Sequence, residues 1–176
     1  MPNYKRCYEQ NKFVFITIVT FNRISILINN IDLLKNSYKS TLEKYPFENM
    51  GMVILPNHIH MLIKPKNMDD YPKIISLFKA TFSRNINNTM QLTKSQINKR
   101  EKGIWQRRYW AHVIWDEKDF ENHFNYIHYN PVKHRYVENV KDWKHSTFFK
   151  MVKLGFYDIN WGSENEVSDI LDLDYE

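Results

Sequence analysis

The stretch FVFITIVT, residues 13–20, decides the fold of this chain. Its residues are aromatic or β-branched, which favours a β-strand. Apolar residues occupy both faces of the stretch, as they do in strands that are covered on both sides. We therefore predict that this stretch is a central strand of a sheet and that other elements cover both of its faces.

The rest of the chain predicts a mixture of helices and strands. Apolar residues at helical spacing predict two helices, and short runs rich in β-branched residues predict strands. A polar, basic segment is expected to form an exposed loop, and Asp116 with Asp119 is expected to cap a third helix. The predicted bounds are 31–45 and 71–87 for the helices, 50–55, 59–63 and 104–115 for the strands, 88–103 for the loop and 116–130 for the third helix.

This order of elements predicts an α+β fold. The succession β-α-β-β-α-β is the ferredoxin-like pattern, in which helices cover an antiparallel sheet to form a sandwich. No internal repeat of solenoid length is present in the sequence.

Length and composition exclude several classes of protein. The chain has 176 residues, enough for one domain or one domain with an appendage, and its 43% hydrophobic content argues against disorder. A single cysteine excludes a disulfide framework. The longest apolar run, residues 13–19, is too short to span a membrane, and the N-terminus has no signal-peptide core. We therefore expect a cytoplasmic protein without a membrane partner.

Charge is distributed unevenly along the chain. Residues 1–157 contain all 25 basic residues and 13 of the 20 acidic ones, a net charge of +12, whereas residues 158–176 carry −7. A basic, aromatic-rich segment is typical of a protein that binds nucleic acid. The same net charge is also found in proteins where it only maintains solubility. We expect a catalytic domain over 1–157 and an acidic tail over 158–176. The tail either competes with DNA for the basic site or is a solvated segment that aids solubility.

Two groups of residues carry candidate chemistry. His58 and His60 alternate along one predicted strand, so both imidazoles share one face and could hold a divalent ion. Unliganded strand histidines have the same pattern. On the third helix, Tyr126 and Asn130 lie one turn apart beside the apolar stripe, with His123 on the same side as an auxiliary candidate.

These motifs resemble those of a known family. PNHIHMLIKP (residues 56–65), WQRR (105–108) and YIHYNPV (126–132) together resemble the REP-associated tyrosine transposases, relatives of the single-tyrosine HUH transposases that act on single-stranded DNA. The resemblance extends from about Tyr4 to Trp161. It implies the HUH-type transposase fold and a bacterial, nucleoid-associated enzyme.

The resemblance also implies roles for individual residues. His58, His60 and Asn130 match the metal site, which implies Mg²⁺ or Mn²⁺, and Tyr126 matches the nucleophile. Tyr129 is a rival nucleophile by local sequence. The implied reaction is DNA nicking and joining through a 5′-phosphotyrosine, as in DNA transposition and recombination. The chain departs from the family at Arg135, where a glycine commonly ends the helix.

The implied substrate is single-stranded hairpin DNA formed by repetitive extragenic palindromes. Basic and aromatic residues near the motifs are candidates for phosphate contacts and base stacking. They are Arg107, Arg108, Lys133, Arg135, Trp105 and Tyr109, although Trp105 suits a core position equally well.

Three alternatives and the oligomeric state remain open on the sequence alone. The chain could be an insertion-sequence transposase of the same superfamily, which usually works as a dimer. It could bind repeats without cutting them, or be a metal-dependent phosphodiesterase with water as its nucleophile. A monomer and a homodimer are both compatible with the sequence.

Overall fold

The computed structural model describes residues 11–87 and 91–175. Short 3₁₀ turns connect several of the main elements. In chain order these elements are β1 (Val14–Val19), α1 (Ile31–Lys44), β2 (Phe47–Ile54), β3 (His58–Pro65), α2 (Tyr71–Asn85), α3 (Lys94–Asn98), β4 (Trp110–Val113), α4 (Glu117–Lys133), α5 (Phe148–Lys153) and α6 (Glu164–Val167).

The four strands form one antiparallel sheet with the order β2-β3-β1-β4. This is the ferredoxin-like arrangement, so the predicted α+β class is confirmed. β1 is an inner strand and is buried at all six of its positions. The prediction of a central strand covered on both faces is therefore confirmed.

The alternation of side chains divides the core into two layers. Ile16 and Ile18 of β1 and Met61 of β3 pack with the apolar residues of α1 and α2 on one face of the sheet. Phe15 of β1 and Leu62 of β3 pack with α4 and α5 on the other face. Because successive side chains of a strand point to opposite faces, each strand contributes to both layers.

Helix α4 lies close to the sheet because Gly51 of β2 has no side chain. A Cβ built at this glycine would lie only 3.2 Å from Cδ1 of Ile127 on α4. The predicted N-cap of α4 is confirmed, since the Asp116 carboxylate accepts a hydrogen bond of 2.8 Å from the Asp119 N–H.

The end of α4 explains how the chain tolerates Arg135. Arg135 adopts a φ of +59°, the left-handed conformation that glycine favours. Its N–H donates to the Val132 carbonyl, and the Tyr136 N–H donates to the Pro131 carbonyl. These are the two hydrogen bonds of a Schellman motif, so an arginine fills the helix-ending position without loss of the turn.

Two predictions about the segment before β4 need correction. The strand predicted over 104–115 is limited to Trp110–Val113, because the Trp105 side chain turns into the α2 layer against Phe82. Its indole N–H donates to the Lys79 carbonyl. The loop predicted over 88–103 contains α3, which a capping box at Thr93 begins. Residues 88–90 of that prediction lie outside the described residues.

The C-terminal segment folds back onto α4. Val167 and Ile170 are buried, and the Asp169 carboxylate pairs with the Lys118 ammonium at 2.5 Å. Leu173 and Tyr175 pack at the edge of the layer beneath α4. Within the described ranges, none of the helices is both long and apolar enough to cross a membrane.

Candidate active site

The four residues predicted to carry the chemistry lie on facing elements. His58 and His60 belong to β3, whereas Tyr126 and Asn130 belong to α4, and none is more than 1% exposed. The rings of His58 and His60 are 4.9 Å apart between centroids, and those of His60 and Tyr126 are 5.3 Å apart. Strand alternation and the helical turn thus bring the imidazole pair and the tyrosine to one place.

Hydrogen bonds fix the protonated nitrogen of His60. The Thr17 hydroxyl donates its proton to the Tyr175 carbonyl oxygen at 2.7 Å. It can therefore only accept from Nδ1 of His60, which lies 2.9 Å away. Neutral His60 then carries its proton on Nδ1 and a lone pair on the buried Nε2.

His58 is held in the same tautomer by its neighbour in sequence. Oδ1 of Asn57 lies 2.6 Å from Nδ1 of His58, and Nδ2 of Asn57 donates to the Arg23 carbonyl at 3.3 Å. The second bond orients the Asn57 amide, so its acceptor oxygen faces the imidazole. Nδ1 of His58 is consequently the donor, and its buried Nε2 carries the lone pair.

The donor set fits a divalent ion. Histidines that bind metals usually donate their other ring N–H to a nearby acceptor, as both histidines do here. Both polar atoms of the Asn130 side chain are buried and make no hydrogen bond within the described part of the chain. A buried amide of this kind normally has a partner, so its oxygen is suited to complete a site with two imidazoles.

Tyr126 is contacted by a cation and by the tail. Nζ of Lys133 lies 4.8 Å from the centroid of the Tyr126 ring and also donates to the Leu173 carbonyl. The Tyr175 N–H donates to the Tyr126 hydroxyl oxygen at 3.3 Å. Residues of the predicted acidic tail thus occupy the space beside the candidate nucleophile.

Tyr129 is placed differently from Tyr126. It is half-buried, and its ring packs edge-on against Trp161 at 6.5 Å between centroids. The histidine pair contacts Tyr126 through His60. The geometry thus favours Tyr126 over Tyr129 as the residue beside the imidazoles.

His123 belongs to a cluster next to the site. Nδ1 of His123 lies 2.8 Å from the Asp119 carbonyl and 3.0 Å from its carboxylate, and Nε2 of His112 lies 2.8 Å from that carboxylate. Burial lowers the pKa of His123. Burial also acts to raise the pKa of Asp119, but hydrogen bonds from the Trp115 N–H and His112 lower it overall. The three side chains could also hold a cation, since candidate ligand atoms lie within 4.8 Å of one another.

The candidate DNA contacts separate into two groups. Lys133 lies beside Tyr126, and Arg135 is exposed at the end of the same helix. Trp105 and Tyr109 instead pack with the α2 layer. Arg107 lines a cavity of about 730 Å³ between α2 and residues 100–107, where it pairs with Glu101 at 2.7 Å. Arg108 is exposed on the same segment.

Sequence reasoning missed the residues that orient the histidines and cover the site. Thr17 could have been found, because it shares a strand face with Phe15 in a stretch that is otherwise apolar. Asn57 directly precedes His58, which places its side chain within reach. Tyr175 gave no usable signal, because a tyrosine in an acidic tail has no characteristic partner.

Comparisons with known proteins identify the family. The family model described as "Transposase IS200 like" matches residues 10–130. The chain is 44% identical over 170 residues to a Haemophilus influenzae protein that bears the name REP-associated tyrosine transposase, covering 95% of this chain and 97% of the relative. The chain belongs to the REP-associated tyrosine transposases.

Two further comparisons agree with this assignment. The REP-associated tyrosine transposase of Escherichia coli strain K12 is 32% identical over 166 residues, which cover 93% of each chain. A solved structure of a REP-associated tyrosine transposase bound to a REP hairpin superimposes with a TM-score of 0.78 at 32% identity. That match covers 93% of this transposase and 92% of the other chain.

Proposed function

We propose that this transposase nicks and rejoins single-stranded hairpin DNA with Tyr126 as its nucleophile. The observation that carries the proposal is the position of the Tyr126 ring, 5.3 Å from His60, beside two imidazoles whose Nε2 lone pairs are set by Thr17 and Asn57. The buried Asn130 amide beside them supports the proposal, because burying a polar group without a hydrogen-bond partner costs free energy.

His58, His60 and Asn130 are the residues that would hold a divalent ion. When bound, such an ion withdraws charge from a non-bridging oxygen of the scissile phosphate and orients it. Two imidazole nitrogens and one amide oxygen suit Mn²⁺, and Mg²⁺ is compatible if it keeps several waters.

Tyr126 then performs a transesterification. An ordinary tyrosine hydroxyl has a pKa of about 10 and attacks poorly until it loses its proton. Its oxygen bonds to phosphorus while the bond from phosphorus to the 3′ oxygen breaks, and that oxygen leaves as a 3′-hydroxyl. The 5′-phosphotyrosine conserves the ester bond, so another 3′-hydroxyl can reverse the reaction without ATP.

The proposed substrate is a hairpin of the repetitive extragenic palindromic class. The relatives carry REP in their names, and the related structure holds a REP hairpin. The +12 charge of residues 1–157 supports binding to phosphates, which should weaken steeply as salt increases. Lys133 at the end of α4 and Arg135 just after it are the basic candidates nearest to Tyr126 in the chain.

We further propose that the acidic tail competes with DNA. The hydrogen bonds from Tyr175 to Tyr126 and from Lys133 to Leu173 support this role, because they engage the nucleophile and a neighbouring cation. Asp172 and Asp174 give this segment the same sign of charge as a DNA strand. A tethered segment competes at high effective concentration.

The nucleophile can be tested with a pair of tyrosine variants. Tyr126→Phe is expected to abolish cleavage of a labelled hairpin in Mn²⁺ while hairpin affinity changes by less than about threefold. Tyr129→Phe is the matched control, since it removes a hydroxyl from the same helix and should still cut. Residual cleavage by Tyr126→Phe would show that Tyr126 is not the nucleophile, and wild-type binding without any cleavage would favour a repeat-binding protein.

A further inference from the structure

A surface of nearly parallel aromatic rings, here called the slot, lies beside Tyr126. The rings of Trp110 and His123 are 6.3 Å apart between centroids and inclined by only 18°. Phe15 lies across them, 5.5 Å from Trp110 and 4.7 Å from His123. Trp110 is 38% exposed on the edge strand β4, so the slot can be reached from solvent.

The Tyr175 ring occupies this slot. It stacks on His123 with a centroid distance of 4.2 Å and an angle of 14°, and on Trp110 at 5.5 Å and 16°. The Tyr175 ring also lies 5.5 Å from Phe15 and 4.8 Å from Tyr126, whose ring is inclined to it by 68°. The slot therefore accepts a flat ring that lies directly beside the proposed nucleophile.

Hydrogen bonds and a stacked ring hold the His123 imidazole in place. His123 is 2% exposed, and the Asp119 carbonyl and carboxylate both hold its Nδ1. His112 stacks on His123 at 4.8 Å and 15° and is anchored to the same carboxylate. A preorganised platform loses little conformational freedom when a ring settles on it, which favours stacking.

We propose that the slot binds an unpaired nucleobase next to the phosphate that Tyr126 attacks, an inference that rests on the proposed function. Base stacking on aromatic side chains requires a flat face and tolerates any base, and the Trp110 and His123 rings on which Tyr175 stacks provide that face. The segment from Asp172 to Tyr175 resembles the ligand, because it presents carboxylates and a flat ring where a strand presents phosphates and a base. Tyr175 and the base are therefore alternative occupants.

The stacked base can be located with a fluorescent analogue. We would place 2-aminopurine at each unpaired position of a hairpin oligonucleotide from the source genome and bind it to the full chain carrying Tyr126→Phe, which should not cut. Stacking should quench the fluorescence at one or two positions adjacent to the cleavage site that wild type defines. Trp110→Leu should abolish that quenching.

Trp115→Leu is the matched control. Trp115 is 61% exposed just beyond β4 and outside the slot, so its loss should leave the quenching unchanged. Equal behaviour of the two tryptophan variants would overturn the proposal. Tyr175→Ala should strengthen binding because it empties the slot, whereas Tyr175→Phe keeps the competing ring and should resemble wild type.

A change in the DNA tests the slot without any change in the protein. Removal of the base at the quenched position should weaken binding to wild type by about 5- to 150-fold, the range that stacking on one aromatic site provides. The same abasic DNA should bind Trp110→Leu with less than about twofold further loss. Equal affinity for abasic DNA at every position would contradict the slot.

Two results would separate the slot from the chemistry of Tyr126. A covalent adduct on unmodified DNA together with no stacked base would overturn the slot and leave the chemistry. A stacked base without any adduct would overturn the chemistry and leave a base-binding slot in a protein that does not cut.

Discussion

The backbone N–H of Tyr175 donates a hydrogen bond to the hydroxyl oxygen of Tyr126, although the two residues are 49 positions apart in the chain. The contact joins the acidic C-terminal segment to the residue that we propose attacks DNA. A hydroxyl that accepts this bond, with the tail lying against it, is less accessible to a phosphate. This contact is the structural basis of the proposed competition between the acidic tail and DNA.

Removal of the final residues should activate the enzyme. A chain that ends after Asp172 loses the contacts of Leu173 and Tyr175 but keeps the buried Val167 and Ile170. Cleavage of a hairpin at low salt should increase about threefold or more, because the competing segment is gone. Leu171→Ala changes an exposed residue of the same tail and should have no effect.

A larger truncation provides a second measurement of the tail. A chain that ends after Tyr157 should also bind DNA more tightly, with some loss of stability because it loses Val167 and Ile170. If both truncated chains bind and cleave DNA at low salt as the full chain does, the tail has no regulatory role.

Thr17 should control the metal site through His60. Thr17→Val keeps the shape of the side chain but removes the hydroxyl that accepts from Nδ1 of His60. Loss of such an outer partner usually weakens metal binding by about 10- to 100-fold. Titration of Mn²⁺ by electron paramagnetic resonance would measure it, with Thr41→Val, a buried threonine of α1, as the control. Equal Mn²⁺ affinity in the two variants would argue against the orienting role.

Two substitutions of Arg135 should differ in their effect on stability but not in their effect on DNA affinity. Because a side chain is strained at a φ of +59°, Arg135→Gly should raise the free energy of unfolding by about 0.5–1 kcal/mol. Arg135→Ala keeps the Cβ and should not gain stability. If Arg135 contacts phosphate, both variants should weaken DNA binding equally, because both remove the charge. Urea unfolding that finds Arg135→Gly no more stable than Arg135→Ala would contradict the strain argument.

Lys79 should titrate at an unusually low pH. Burial lowers the pKa of its ammonium to about 8, although that ammonium donates to the Gln106 carbonyl. The folded state thus holds the proton less tightly than the unfolded state, so this group makes unfolding less favourable as pH rises above about 8. Amine labelling followed over pH should give a midpoint near 8 for Lys79. Lys73 on the same helix, whose pKa is raised by its bond to Asp70, should label only at higher pH, and equal midpoints would contradict the burial argument.

The sequence predicts the parts of the fold that depend on local pattern. β1 was predictable because its two apolar faces leave few alternatives, and α4 because Asp116 supplies a cap at the right spacing. The predicted strand over 104–115 was too long, because Trp105 does not belong to a strand of the sheet. It fills the α2 layer, and a run of apolar residues does not reveal which neighbour each one contacts.

For the site too, the sequence predicts what depends on local pattern and not what depends on tertiary packing. Strand alternation placed His58 and His60 on one face, and the helical turn placed Tyr126 and Asn130 together. Their burial was not predictable, because it depends on how closely α4 approaches the sheet above Gly51. The contact of Tyr175 with Tyr126 was likewise hidden, because it depends on the path of the tail over the folded body.

The central claim is that Tyr126 forms a covalent bond to DNA, and the adduct tests it most directly. Wild-type protein would be incubated with a labelled single-stranded hairpin and Mn²⁺, denatured, digested and analysed by peptide mass. We predict label on the denatured protein and a nucleotide-bearing peptide in which Tyr126 carries the phosphate. Cleaved DNA without any protein-bound label, or with the phosphate on Tyr129, would contradict the account.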